Sequence, residues 1–423
     1  MPGSNRMRTI QKLAASGLQE VLAGAALHQV LPSRLQQLET AGERGALQDI
    51  LYGSLRYLGR LDVWLEALLE RPLTDPQLGW LLRVALYQLA FTRAPAHAVV
   101  HNAVTAAGHG WRRGLANAVL RNFQRRRVEL ESLADASPLG RWSHPLWWID
   151  RLKADYPGQW QDVLQAGLMH PPFTLRVNAR HGDVAAYLAR LADAGMEARQ
   201  SGPVAVTLDK AVAVSALPGF AEGDVSVQDA GAQWAARLLD LAPGQRVLDA
   251  CAAPGGKSGH ILETAEVDLT ALDQDAERLA RVRENLDRLG LSAKLITGDA
   301  ANPGGWWDGR PFDRILADVP CSASGVVRRN PDIKWLRRPQ DLTGFARQQS
   351  AMLDALWRLL APGGKLLYAT CSIFIEENNA QVDAFVARQS DAERCALPQP
   401  VATGQLLPDA EHDGFFYALL RKA

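Results

Sequence analysis

From about residue 225 onward, short apolar runs alternate with helical stretches, and this alternation limits the fold more than any other feature of the chain. Residues 246–249, 267–273, 295–298, 312–318 and 365–369 read as strands. Between the second and third, Leu279, Val282, Leu286 and Leu289 recur on one helical face. Parallel strands need long crossover connections, and helices supply them. The pattern therefore predicts a parallel sheet covered on both faces.

In such a sheet, ligands bind beyond the carboxyl ends of the strands. Asp249, Asp273, Asp299 and Asp318 fall at the ends of four successive predicted strands. Any one of them, alone, is as well explained as a helix N-cap. The turn after the first strand reads Ala250-Cys251-Ala252-Ala253-Pro254-Gly255-Gly256-Lys257. Its paired glycines let backbone approach a ligand closely. It lacks the Gly-x-Gly-x-x-Gly spacing that serves a dinucleotide pyrophosphate, which argues against a nicotinamide oxidoreductase. A nucleoside cofactor without pyrophosphate fits better: S-adenosylmethionine, with Asp273 on its ribose hydroxyls.

The chain has 4 cysteines, none spaced as Cys-x-x-Cys, so neither a zinc site nor a disulfide framework is expected. A reducing, cytoplasmic setting fits. Residues 1–10 lack a signal-peptide core, and no run of apolar residues is long enough for a membrane span. Cys251 and Cys395 read as small buried apolar groups. Cys321 and Cys371 differ, because each follows a predicted strand and both would face one crevice. A reactive thiolate needs nearby cations or oriented amides. Arg328, Arg329, Lys334, Arg337 and Arg338 follow Cys321 and offer that field or a phosphate contact. Trp335 among them is read equally as a base-stacking platform or as loop packing. The residues alone do not decide which cysteine attacks a substrate.

The front of the chain reads as helical. Leu47, Leu51, Leu58, Leu61, Leu65 and Leu68 form one apolar stripe, and Leu78, Leu81, Leu82, Ala85 and Leu89 form another, with Pro72 and Pro76 between them. Formal net charge is 0, so any RNA contact must come from local patches. Arg112, Arg113, Arg121, Arg125, Arg126 and Arg127 make one such patch with no acid among them; it is a phosphate site or a solvated face. Residues 132–145 read as a linker, 147–156 and 184–194 as helices, and 173–178 and 204–208 as strands. Three pieces are expected: 1–135, 140–224 and 225–423.

Three stretches carry a family resemblance: the turn from Asp249 to Lys257, the run Asp318-Val319-Pro320-Cys321-Ser322-Ala323-Ser324-Gly325, and Ala369-Thr370-Cys371-Ser372 followed by Glu376-Glu377-Asn378. In this order they resemble the RNA (cytosine, carbon 5) methyltransferases of the Fmu/Sun/NOL1/NOP2 type. Pro218-Gly219-Phe220 and Val227-Gln228-Asp229 match a stretch that precedes the first strand in that family. Gly114-Leu115-Ala116-Asn117-Ala118-Val119-Leu120-Arg121 resembles the last helices of the antitermination factor NusB, as in the bacterial small-subunit rRNA branch. Ser143-His144-Pro145-Leu146-Trp147, Leu175-Arg176-Val177-Asn178 and Asp413-Gly414-Phe415-Phe416-Tyr417-Ala418 extend the likeness over nearly the whole chain. Phe374-Ile375 departs from it where many members carry proline.

The resemblance implies an α/β protein: a Rossmann-like class I methyltransferase domain with a mixed, mostly parallel sheet, an all-α NusB-like RNA-binding front and a small α+β middle piece. It implies methylation of carbon 5 of a cytosine in small-subunit rRNA, through a covalent bond from cysteine to carbon 6. Cys371 is then the nucleophile, and Cys321 serves proton removal and product release. Asp318 lies between cofactor and base. Ala250, Cys251, Ala252, Ala253, Pro254, Gly255, Gly256 and Lys257 cradle the methionine portion, Asp273 holds the ribose and Asp299 lies near the adenine. The expected partner is RNA, not DNA, a membrane or a metal, and a monomer is expected. The alternatives are another RNA such as tRNA, a DNA enzyme that needs only Cys321, and a non-catalytic NusB-like RNA-binding factor.

Overall fold

The computed structural model describes residues 2–423. The chain forms two compact units, Met1–Met169 with Val327–Arg337, and His170–Val326 with Arg338–Ala423.

The first unit is helical. The helix Ala41–Arg56 starts at a capping box, in which the Thr40 hydroxyl accepts from Glu43 N–H and the Glu43 carboxylate accepts from Thr40 N–H. The expected single leucine stripe is two helices, Ala41–Arg56 and Leu58–Leu68, because the chain leaves helical geometry at Tyr57. All six of its leucines are buried. The helix Pro76–Phe91 begins with proline at its first position, after the Asp75 cap. Trp64 is fully buried, and its indole N–H donates to Leu130 O at 3.0 Å.

Two expectations fail in this unit. Residues 132–145 are no linker: the helix Arg127–Ala136 runs into Pro138–Trp142. The Ser137-Pro138 pair, read as a breaker, instead caps and starts a helix, since Ser137 accepts from Gly140 N–H and proline suits the first turn. In the basic segment after Cys321, Lys334 belongs to no charged field, and Trp335 takes the packing role rather than that of a stacking platform. Lys334 is fully buried and donates to Arg56 O at 2.9 Å, and Trp335 donates to Leu55 O at 2.7 Å. Burial, and then the nearby Arg56 charge, push the Lys334 ammonium well below the usual lysine range.

The second unit holds two sheets. The smaller is antiparallel, in the order β2-β3-β1-β4, with β1 Phe173–Val177, β2 Ala198–Gln200, β3 Ala205–Leu208 and β4 Val225–Val227. The helix Val184–Asp193 covers it, through Val184, Tyr187 and Leu191. Because β4 pairs with β1, residues 225–227 belong to this sheet and not to the piece expected to begin at 225.

The larger sheet comprises β5 Arg246–Ala250, β6 Asp268–Asp273, β7 Lys294–Thr297, β8 Phe312–Asp318, β9 Leu360–Thr370, β10 Ala392–Arg394, β11 Gln405–Leu406 and β12 Phe415–Lys422. Its order is β10-β12-β9-β8-β5-β6-β7, with β11 also on β12. The pairs β5/β6, β5/β8, β6/β7 and β8/β9 are parallel, while β12 runs antiparallel to β9. Alternate residues feed cores on the two faces. Val247, Leu316 and Leu367 join one, and Leu248, Ile315 and Leu366 the other. Among the described residues no helix is long and apolar enough to cross a membrane.

Arg176, on β1, is fully buried and ties the small sheet to the helix Gly256–Thr264. It grips both oxygens of buried Glu263, at 2.7 and 2.8 Å, and donates to Gly256 O at 2.8 Å. Removing one member strands a buried charge. Arg176→Met is therefore expected to cost about 3–5 kcal/mol in urea unfolding, and Arg176→Met with Glu263→Leu to cost less than the single change.

Candidate active site

Adjacent parallel strands bring distant sequence to one edge. Asp318 closes β8 and Thr370 closes β9, with Asp318 in register with Ala369. Cys321 and Cys371 follow these ends, and their sulfurs lie 3.4 Å apart. The Cys321 thiol is pushed well above its ordinary value, first by its hydrogen bond to Cys371, then by burial and by negative charge at Cys371 and Glu377. It therefore keeps its proton. Cys251 is also pushed up, by burial and then by the carboxylates of Asp318, Asp273 and Asp249. This marks it as an inert thiol.

β5 flanks β8 on the other side, which brings the 250–257 turn beside Asp318. Lys257 Nζ pairs with Asp318 Oδ2 at 2.5 Å. Burial opposes the Lys257 charge, but the Asp318 carboxylate outweighs it and raises the ammonium above its usual value. The turn itself needs glycine at position 255. Gly255 has φ of +96°, and a Cβ there would come within 3.1 Å of Val282 Cα.

Of the four acids read as strand ends, only Asp273 and Asp318 are final strand residues. Asp249 lies inside β5 and is buried, with Ser258 Oγ donating to its Oδ2 at 2.6 Å. Its Oδ1 is buried with no hydrogen-bond partner. Burial raises this carboxyl to about 7; the Ser258 hydrogen bond pulls against that, and the Asp318 charge adds to it. Asp273 accepts from Ala253 N–H and Asp275 N–H, both at 3.0 Å. Asp299 lies beyond β7, exposed, and accepts from Ala301 N–H at 2.9 Å. A cleft joins Asp273 and Asp299 with Cys251, Leu272, Gln274, Arg278, Ala300, Gln348 and Met352. Its apolar members carry no chemical signature in sequence, and only the fold reveals them. This cleft, the glycine turn and the orphaned Asp249 oxygen together suit a cationic nucleoside ligand.

The arginine run in the helical unit splits in two. Arg112 pairs with Asp75, Arg126 with Glu129, and Arg127 with Glu131 at 3.7 Å. Asp75 comes from the cap of another helix, whereas Glu129 and Glu131 directly follow the run in sequence. Arg113, Arg121 and Arg125 instead line a cleft of about 1320 Å³ with Arg71, His97, His101 and the exposed Trp111. Among the described residues, Arg121 and Arg125 donate to neutral amides, of Asn117 and Asn122.

The family model described as 16S rRNA methyltransferase RsmB/F matches residues 236–421. A ferredoxin-like domain model of that group matches 144–215, and the NusB family model matches 7–125. Ribosomal RNA small subunit methyltransferase B of Pseudomonas putida is 47% identical, over 97% of each chain. That of Vibrio cholerae is 48% identical, over 98% of this chain and 97% of its own. A solved methyltransferase homolog protein from Pyrococcus horikoshii covers 68% of this chain and 100% of its own, with 27% identity and a TM-score of 0.59.

Proposed function

This chain belongs to the RsmB/F family of 16S rRNA methyltransferases, and from that premise we propose how its residues divide the work. It is an S-adenosylmethionine-dependent enzyme that methylates carbon 5 of a cytosine in small-subunit ribosomal RNA. The observation that carries the reading is the pair of thiols 3.4 Å apart, beside the Lys257–Asp318 pair. The target base is swung out of its stack, because in-helix attack is blocked. Cys371 adds to carbon 6, which makes carbon 5 nucleophilic. When bound, S-adenosylmethionine supplies an electrophilic methyl group. As Cys371 adds, the ring nitrogen takes up a proton from solvent, and Asp318, held by Lys257, accepts a hydrogen bond from that N–H and so steadies the protonated ring. Once Cys371 is bonded to carbon 6 its charge no longer holds the Cys321 proton; Cys321 loses that proton to water, and its thiolate takes the carbon 5 proton. The electron pair of the carbon 5–hydrogen bond restores the ring double bond, and the carbon 6–sulfur bond breaks with its pair going to Cys371, which leaves as thiolate. The 3.4 Å approach of the two sulfurs, which places both thiols beside one ring position, supports this division.

The residues around the turn fit the cofactor. Backbone and side chains from Ala250 to Lys257 hold its methionine end, Asp273 its ribose, and Asp299 with Ala300 and Met352 its adenine side. Asp249 Oδ1 is the acceptor offered to the cationic end. We also read the enzyme as a cytoplasmic monomer that acts on RNA and not DNA, with thiol chemistry that needs no metal. Methyl transfer to deproteinised rRNA, followed by bisulfite mapping of the product, tests the activity. Loss of one 5-methylcytosine from rRNA of cells lacking the protein is the matching result.

The Asp249 shift gives a pH dependence. Its carboxyl is raised to about 7, so below that pH the free site holds a proton that a cationic ligand must displace. Affinity for S-adenosylhomocysteine is expected to rise with pH up to about 7 and level off above. It falls by about tenfold per unit below 7. Calorimetry at several pH values checks this, and Asp249→Asn should flatten the profile.

The cleft lined by Arg113, Arg121 and Arg125 is read as a phosphate contact. Replacing all three by glutamine should lower the slope of log affinity for RNA against log salt by about 0.7 per lost single-strand contact. Replacing Arg112, Arg126 and Arg127, which pair with acids, should leave that slope unchanged.

A further inference from the structure

Glu377 takes no part in the chemistry above, yet it is fully buried. Its Oε1 accepts from Ser322 N–H at 2.7 Å and from the Gln349 amide at 3.2 Å. Its Oε2 accepts from the hydroxyls of Ser322 and Ser372, both at 2.5 Å. Ser322 directly follows Cys321, and Ser372 directly follows Cys371. One carboxylate therefore holds both cysteine turns through the residues next to the thiols.

Other bonds tighten the same bracket. The Ser324 hydroxyl lies 3.1 Å from that of Ser322 and 3.0 Å from that of Ser372, and it accepts from Ile373 N–H at 2.9 Å. Gly325 N–H donates to Cys371 O at 2.8 Å. Position 325 has no room for a side chain, since a Cβ would meet Gly414 O at 2.2 Å. Asn378 fastens the Cys371 turn from both ends: it accepts from Thr370 Oγ1 at 2.7 Å and donates to Ser372 O at 2.9 Å.

Only donors converge on Glu377, which suits an acceptor-only carboxylate. Short bonds to a charged acceptor are the strong ones, and a fully satisfied buried network fixes one arrangement. A group serving stability alone need not bridge two turns whose shared content is one cysteine each.

We propose that Glu377 is a positioning residue for product release: it keeps the Cys321 turn registered against the Cys371 turn, so that the two thiols reach neighbouring carbons of one pyrimidine ring. It touches neither thiol and acts through Ser322 and Ser372. The proposal rests on the division of roles given above. Attack on carbon 6 needs Cys371 alone. Release needs both, because Cys321 takes the carbon 5 proton as the bond from carbon 6 to Cys371 breaks. Loosening the bracket should therefore slow release more than attack, and a misplacement of about 1 Å costs about 100-fold.

The test uses the full chain with rRNA transcript, below the melting temperature of each variant. Glu377→Ala should lower kcat by about 10- to 100-fold, and KM for RNA should fall with it because the covalent complex accumulates. S-adenosylhomocysteine binding should persist, and an RNA–protein adduct should accumulate on denaturing gels although both cysteines are present. Glu377→Gln, which keeps one acceptor oxygen, should fall between wild type and alanine. If Glu377→Ala does not fold, Ser322→Ala and Ser372→Ala carry the test, since each breaks one of the 2.5 Å bonds and should also accumulate adduct. Wild-type turnover in these variants overturns the proposal. So does activity lost in step with folded protein and without adduct, which is the mark of a merely structural group. Cys321→Ala, run alongside, separates the two readings: if it traps no adduct, the assigned roles fail, whereas an adduct there and none in the Glu377 and serine variants sinks only the bracket.

Discussion

Cys371→Ala is expected to abolish methyl transfer and to leave no covalent RNA adduct, because the attacking thiolate is gone. Cys321→Ala should behave differently. Attack and methylation still occur, but the carbon 5 proton has lost its acceptor. General base catalysis contributes about 10²–10⁴-fold, so release should slow by that order and the adduct should survive denaturing electrophoresis. The double variant should form none, since trapping requires Cys371. The sulfurs lie 3.4 Å apart, so both sit beside one substrate position and the two phenotypes report on one site. An adduct with Cys371→Ala rather than Cys321→Ala would reverse the roles.

Asp318→Asn should cost about 10²–10³ in kcat, the usual loss when a preorganised partner of developing charge is removed. The asparagine keeps the shape but loses the charge that Lys257 holds at 2.5 Å. Lys257→Met should also lower kcat, by releasing Asp318. The double variant should lose little more than Asp318→Asn alone, because paired residues act as a unit. Single-turnover kinetics with rRNA and measured S-adenosylhomocysteine affinities check both points. A loss confined to cofactor affinity would place the pair in binding rather than chemistry.

Much of this architecture is legible in the chain itself. The expected strand at 312–318 is β8 as observed, because an apolar run ending in an acid is a local pattern. The expected strand at 365–369 is only the core of β9, which extends from Leu360 to Thr370. The short strands β2 and β4 carry too few residues to show a period, and pairing with distant neighbours makes them strands. The 132–145 linker failed for a related reason: Ser137-Pro138 breaks one helix and caps the next, and only packing shows that a second helix follows.

What the sequence determined alone was the residue chemistry and its order: acids and cysteines after apolar runs, a double-glycine turn, and helices in front. Those are local properties of spacing and side-chain type. Tertiary structure decided which of them meet. Strand order places β8 between β5 and β9, and that brings Lys257, Asp318, Cys321 and Cys371 together. It also brings Asp75 to Arg112 from another helix's cap, and packs Lys334, buried, and Trp335, half-buried, as anchors. The bracket at Glu377 depends on it entirely, since a carboxylate's role is set by the donors around it, and these come from three separate segments. Contacts between residues far apart in the chain depend on strand pairing and burial, and local pattern holds no record of either.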